Sequence, residues 1–245
     1  ALTDRSRLRP HVLVLTATPI PRSVAMTVFG DLEVSTLTEL PGDRGEVATT
    51  VVDAVTRPAW VERAWQRVRE EAEQGRQTFI VAPRISTGKE GGTGVVPLAE
   101  QLGAGPLAGL RVGVLHSQLP TDTKDATMAA FAAGELDVLV ATTMIEVGVD
   151  VPNASMMIIW DADRFGISQL HQLRGRVGRG VHPGVCLLIS SAAPEAPSWQ
   201  RLSSVAATRD GFQLADLDLA QRREGDVLGA GQSGGRSSLR LLRVL

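Results

Sequence analysis

The sequence predicts an α/β fold: a parallel sheet flanked by helices, with an all-helical segment after it. Three observations point there. Short apolar runs alternate with helical patterns along most of the chain, the signature of crossover units between parallel strands. After residue 195 the pattern changes to helices only. The chain has 245 residues, 43% of them hydrophobic, enough to bury an ordinary core in one or two domains.

The first apolar run, 11–15, reads as a strand ending at Thr16-Ala17-Thr18. Pro19 and Pro21 then force an extended turn before a helix over 22–30. Residues 39–46, Glu-Leu-Pro-Gly-Asp-Arg-Gly-Glu, combine proline, glycine and charge without an apolar period, as inter-domain linkers do. Beyond them, apolar runs predict strands at 47–53, 77–82, 110–115, 137–141, 155–160 and 184–189. Helices at 58–74, 95–103, 121–134 and 168–178 separate most of these. The segment 84–109 holds a glycine-rich stretch, Thr87 to Gly94, where insertion or mobility is expected. Helices at 197–209 and 212–221 follow, then a glycine- and arginine-rich stretch over 222–236 and a last short helix.

A formal charge of -2 excludes a uniformly basic nucleic-acid coat. The charge is unevenly placed: from Arg164 to Pro194 there are four arginines and no acid, a basic strip inside a neutral protein. The single cysteine, Cys186, sits in an apolar run and reads as inert core, which favours a reducing compartment. No signal peptide and no run of about 18 apolar residues is present, so the expectation is a cytoplasmic protein without a membrane partner. A start at Ala1, in a basic segment running straight into a strand, reads as a start inside a longer protein.

The chemistry concentrates between His171 and Gly180, which reads His-Gln-Leu-Arg-Gly-Arg-Val-Gly-Arg-Gly. If Ser168 caps a helix running to Gly178 or Gly180, then Gln172, Arg176 and Arg179 fall at i, i+4 and i+7 on one face. Guanidinium groups stay ionised and offer planar, paired donors to phosphoryl oxygens, the chemistry of an arginine finger. A disordered arginine-glycine segment is the bland alternative. It is disfavoured because the segment occurs once, between apolar runs at 155–160 and 185–189.

Ligands of an open parallel sheet sit outside the carboxyl ends of its strands. Those ends carry Pro83-Arg84, His116-Ser117 and Thr142-Thr143, short donors suited to phosphate oxygens and to sequence-independent contact with a nucleic-acid backbone. Each threonine taken alone reads equally as a helix cap. Asp150, in Gly148-Val149-Asp150-Val151-Pro152, could accept a ribose hydroxyl or form an Asx turn before Pro152. No Gly-x-x-x-x-Gly-Lys-Ser/Thr string is present, and Thr87-Gly88-Lys89-Glu90 has Pro83 where the first glycine belongs. No Asp-Glu pair to hold magnesium follows an apolar strand either, so the expectation is half of an ATP site.

Three segments carry a specific resemblance: Thr16-Ala17-Thr18-Pro19-Ile20-Pro21-Arg22, Ala141 through Ser155, and His171 through Gly180. They resemble motifs III, V and VI of superfamily 2 helicases, and within that group the branch-migration helicases of the RecG family. The tail, Asp210-Gly211-Phe212-Gln213-Leu214-Ala215 through Gln232-Ser233-Gly234, is similar to the helical hairpin and loop used there for translocation. The related transcription-repair coupling factors carry a similar hairpin. Their motif V typically reads Glu-Thr-Gly-Ile-Asp-Ile-Pro and their motif VI ends in serine, whereas this chain has Glu146 through Pro152 and Gly180.

The resemblance implies a RecA-like fold. Residues 1–38 would end a first RecA-like domain, 39–46 would link, 47–194 would form the second domain and 195–245 the translocation element. It implies that Arg176 and Arg179 sense phosphate, that Gln172 couples nucleotide state to movement, and that Gly148 and Asp150 face the nucleotide. Thr142 and Thr143 would face the DNA backbone, beside Arg84, His116 and Ser117 from the reading of the strand ends. Thr16, Thr18, Arg222 and Gln232 would couple the two activities. ATP and Mg2+ would be held mainly by the first motor domain of the longer protein, with no cofactor or metal ligand expected of this chain alone. The implied partners are branched DNA, meaning replication forks and Holliday junctions, with single-stranded DNA-binding protein as a further candidate and a monomer as the working state. Two departures stand out: the family usually has Gly-Pro-Gly-Glu at Arg223-Glu224-Gly225-Asp226, and glutamate at Trp160.

Overall fold

The computed structural model describes Ser35 and residues 46–86, 93–146 and 150–229. Its centre is a six-stranded sheet: β1 (Val47–Asp53), β2 (Gln77–Val81), β3 (Val112–Leu115), β4 (Val138–Ala141), β5 (Ala154–Ile159) and β6 (Gly184–Ser190). The spatial order is β1-β6-β5-β2-β4-β3 and every pairing is parallel. Each strand lies within two residues of its expected ends. Four helices connect strands: α1 (Pro58–Glu73), α2 (Val95–Ala104), α3 (Thr121–Ala132) and α4 (Ile167–Arg174). Two more, α5 (Pro197–Ala207) and α6 (Gly211–Gly229), follow the sheet.

Parallel strands need helical cover on both faces, and the two core clusters show it. On one face α1 and α2 bury Ala64, Trp65, Val68, Leu98 and Leu102 against Ile80, Val138, Met156 and Ile158. On the other, Phe131 of α3, Leu170 and Leu173 of α4, Leu202 and Val205 of α5 and Leu214 of α6 cover Phe79, Leu139, Met157 and Leu188. Phe131 meets Phe79 in a tilted ring pair with centroids 4.9 Å apart. Cys186 is fully buried in this second cluster, which pushes its thiol up to about 12 and keeps it unreactive at neutral pH. Among the described residues no helix is long and apolar enough to cross a membrane.

Helix α1 starts with Pro58 in its first turn, where a missing N–H is no loss. Its apolar stripe, Ala64, Trp65 and Val68, ends in a carboxylate, Glu71, which is only 2% exposed. Burial raises the cost of that charge. Hydrogen bonds from Arg76 and from the Ser155 hydroxyl (2.5 Å), with Arg67 at 2.7 Å, outweigh the penalty and hold its pKa below the ordinary value.

The expected helix 168–178 is the principal correction. It runs from Ile167 to Arg174 with Gly166, not Ser168, at its N-cap, and the Gln169 side chain accepts the Gly166 N–H at 3.2 Å. The Ser168 hydroxyl instead reaches Asp218 of α6 at 3.3 Å. Gly175 closes the helix, and Gly178, at φ +68°, turns the chain so that its N–H reaches the Ala154 carbonyl at 3.3 Å. Gln172, Arg176 and Arg179 therefore do not form one helical stripe. Helix α6 extends past its expected end at 221, with helical backbone through Gly229. The expected strand 11–15, helix 22–30, linker residues 39–45, loop residues 87–92 and last short helix lie outside the described residues, as do Thr16, Thr18, Gly148 and Gln232.

Replacing Phe131 by alanine removes the largest ring under α3 and should destabilise the protein by about 3–5 kcal/mol, measured by urea denaturation.

Candidate functional site

Crossover topology sorts the candidate residues onto two opposite edges of the sheet. Helix α4 carries the chain from the carboxyl end of β5 back toward the amino end of β6, so residues 176–180 emerge beside the first residue of β5. Asp150, four residues before β5, lies at the same amino edge, where Arg179 reaches it. Arg84, His116, Ser117, Thr142 and Thr143 follow the carboxyl ends of β2, β3 and β4, three neighbours in the sheet. The phosphate candidates and the backbone-contact candidates thus lie on different rims, and Arg84, His116, Ser117, Thr142 and Thr143 share the one rim expected of them.

On the amino edge, Arg179 is held twice. Its Nε donates to the Gly175 carbonyl at 2.7 Å, and its Nη1 donates to Asp150 Oδ1 at 3.0 Å. The first bond places a cation over the carboxyl end of α4, where the helix dipole favours it. The second joins two segments 29 residues apart. Asp150 is 68% exposed in its side chain, so this pair is a surface ion pair worth at most ~1 kcal/mol, weak enough for an anionic ligand to displace. Arg176 and Gln172 are half-buried nearby in sequence, Gln172 on α4 and Arg176 in the turn after it.

The backbone under this edge is rigidly made. Gly180 packs so closely on Pro152 that a Cβ would lie 2.5 Å from the Pro152 carbonyl oxygen. Asn153 donates its amide to the Gly75 carbonyl at 2.7 Å, its own carbonyl accepts the Gln77 N–H at 3.2 Å, and Ser155 donates to Glu71. Glu71, Asn153 and Ser155 thus tie the Asp150 segment to the turn between α1 and β2. Sequence reasoning missed them, although Glu71 continues the 64, 68, 71 spacing of a buried helix stripe.

Arg174 corrects the reading of the four-arginine strip. It is 5% exposed, and its Nη1 donates to the carbonyls of Val205 and Thr208 at 2.7 and 2.8 Å, satisfying the carboxyl end of α5. Its Nη2 donates to His171 Nδ1 at 2.9 Å, which requires neutral imidazole. Burial and then the Arg174 charge hold His171 below its ordinary value, with Asp210 pulling the other way. This arginine is spent on joining α4 to the α5–α6 turn, where Asp210 caps α6 through the Phe212 N–H at 2.8 Å.

The carboxyl rim is graded in depth. His116 and Thr142 are each 9% exposed, Arg84 and Thr143 are half-buried, and Ser117 is exposed. The Thr142 N–H reaches the Leu115 carbonyl at 3.2 Å, locking the ends of β3 and β4 together, and His116 Nδ1 has no hydrogen-bond partner among the described residues. The side chain of Arg222 lies outside the described residues.

Comparison with known proteins agrees with this architecture. The helicase conserved C-terminal domain matches residues 61–181. The chain is 59% identical to the ATP-dependent DNA helicase RecG of Mycobacterium bovis, over 97% of this chain and 33% of that protein. It is 42% identical to the RecG of Bacillus subtilis, over 94% of this chain and 34% of that protein. It thus spans about a third of the length of these curated relatives. A solved structure of RecG bound to a three-way DNA junction superimposes with a TM-score of 0.70 at 41% identity, covering 90% of this chain and 28% of that one.

His171 gives a pH prediction. Its folded pKa lies below the ordinary 6.5, so the neutral-acceptor bond from Arg174 contributes fully above that value and is lost as pH falls through the lowered folded value. The thermal midpoint should drop between about pH 7.5 and pH 5.5, and His171→Gln, whose amide oxygen accepts without titrating, should flatten that drop.

Proposed function

The chain belongs to the RecG family of superfamily 2 helicases, matching its C-terminal motor portion, and we propose that it is the second half of an ATP-driven motor that moves on double-stranded DNA. The observation that carries this reading is the Arg179–Asp150 contact at the amino edge. It brings a guanidinium suited to phosphate and a carboxylate suited to a ribose hydroxyl together at the surface, with a half-buried second arginine, Arg176, three residues before Arg179 in the chain.

Two guanidinium groups and one displaceable carboxylate fit a nucleotide whose phosphates approach from a facing domain. ATP with Mg2+ would supply the transferable phosphoryl group, gripped mainly by the first motor half of the longer protein. The residues here then act as follows. Asp150 releases Arg179 and accepts from the ribose, with Gly148 allowing close approach. Arg179 and Arg176 take up charge developing on the phosphoryl oxygens. Gln172, one turn back on α4, senses that shift. Through Arg174 the same helix grips the end of α5, so a tilt of α4 reaches the α5–α6 hairpin without a flexible link.

In this reading residues 1–38 end the first RecA-like domain, with Thr16 and Thr18 coupling it to DNA. Residues 39–46 link, 47–194 form the second domain, and 195–245 convert closure into movement through Arg222 and Gln232. The carboxyl rim, with Arg84, His116, Ser117, Thr142 and Thr143, faces the DNA backbone. The substrate class is branched DNA, and the work is remodelling of stalled forks and Holliday junctions in recombination and repair. A cytoplasmic monomer is the proposed working form, with single-stranded DNA-binding protein as a further partner.

In the full-length protein, Arg179→Ala should lower ATP turnover roughly a thousandfold or more while binding to a branched duplex survives, read by phosphate release and by a mobility shift. Comparable turnover in that variant would overturn the assignment. The 245-residue chain by itself should release no phosphate with or without branched DNA, and robust hydrolysis would show that the site is complete here.

A further inference from the structure

Trp160 stands where the family pattern usually has glutamate, and its surroundings give it a task. The residue follows the carboxyl end of β5, and its indole stacks on Trp65 of α1 with centroids 5.5 Å apart and planes 19° from parallel. Its Nε1 donates to the Thr93 hydroxyl oxygen at 2.9 Å. The next residue, Asp161, is the one non-glycine among the described residues with positive φ, at 51°, a conformation that aspartate tolerates better than most side chains. That turn aims Oδ2 at the Thr93 N–H, 2.7 Å away. Thr93 is therefore held at both its hydroxyl and its amide.

The residues directly after Thr93 hold the backbone of Arg84 in turn. Gly94 pairs with Arg84 in a parallel bridge, so close to the Ser86 backbone that a Cβ would sit 2.5 Å from it. The Val95 and Val96 N–H groups donate to the carbonyls of Arg84 and Ile85 at 2.8 and 3.1 Å. A glutamate at position 160 could accept from a threonine hydroxyl but could not stack on Trp65, so in this chain the ring contact ties the arrangement to α1.

We infer that Thr93, Trp160 and Asp161 form a clamp that positions Arg84 on the DNA-facing rim. They are positioning residues, and DNA contact belongs to Arg84. The inference rests on the reading of the carboxyl rim as the DNA face. The clamp acts by pre-organisation: a guanidinium on a fixed backbone loses less freedom on meeting a phosphate than one on a loose segment.

The test uses the full-length protein and a branched DNA duplex, with affinity measured across a salt series and DNA-stimulated ATP hydrolysis measured alongside. Arg84→Ala should reduce the slope of log affinity against log salt by about one, the loss of one phosphate contact. Thr93→Val should weaken binding roughly fivefold with a similar loss of slope, raising KM for DNA while leaving kcat at saturating DNA unchanged, and Thr93→Ser should restore both. Trp160→Phe, which keeps the stack and removes the indole N–H, should behave like Thr93→Val. The Arg84→Ala, Thr93→Val double variant should be no worse than Arg84→Ala alone, because clamp and arginine act as one unit. A wild-type slope in both Thr93→Val and Trp160→Phe, or additive losses in the double variant, would overturn the clamp alone. An unchanged slope in Arg84→Ala would remove the DNA-rim reading and the clamp with it.

Discussion

Strand β5 is buried along its whole length, paired in parallel with β6 on one side and β2 on the other, and both edges of functional interest are built on its ends. At its amino end the Ala154 carbonyl receives the Gly178 N–H, which fixes the turn presenting Arg179 to Asp150. At its carboxyl end Trp160 and Asp161 reach across to Thr93. A strand closed in on both faces and both edges cannot shift by one residue without moving every side chain to the wrong face. Its register therefore sets the distance between the two edges.

Polar groups are handled differently at different depths. Glu71 and Arg174 are buried and fully engaged, which makes them part of the scaffold: removing either partner would strand a charge or leave helix-end carbonyls unsatisfied. The Arg179–Asp150 pair is exposed and weak, so it can exchange partners. In the proposed motor reading, the exposed ion pair would respond to ligand while the buried hydrogen bonds would transmit load. Helices α5 and α6 follow the same logic, since both rest on α4 and are tied to it by Arg174 and by the Ser168–Asp218 bond.

Much of this was legible in the chain. Strands of a doubly covered parallel sheet read as continuous apolar runs, so all six were placed within two residues of their ends. Helix α4 was not, because periodicity continues through Gly175 and Gly178 while the backbone does not. The error mattered: it drew Gln172, Arg176 and Arg179 as one stripe, where the structure bends Arg179 back onto the Gly175 carbonyl. Arg174 looked like one member of a basic strip. Its burial depends on two carbonyls in α5 and the turn after it, more than 30 residues ahead, which no local spacing reveals.

The sequence by itself determined the layers of the fold, because apolar period is a local property, and it determined the family, because motif strings such as 141–155 and 171–180 are long and specific. Tertiary structure alone decided which edge of the sheet each motif reaches. Parallel connections send consecutive segments to alternate ends of the strands, so residues close in the chain can lie on opposite rims while Asp150 and Arg179, 29 apart, meet. It also decided what Trp160 does. A departure from a pattern has no meaning in one dimension, and here it acquires one from Trp65 and Thr93, residues 95 and 67 positions away that only the packing of α1 and the 93–94 segment onto the end of β5 brings together.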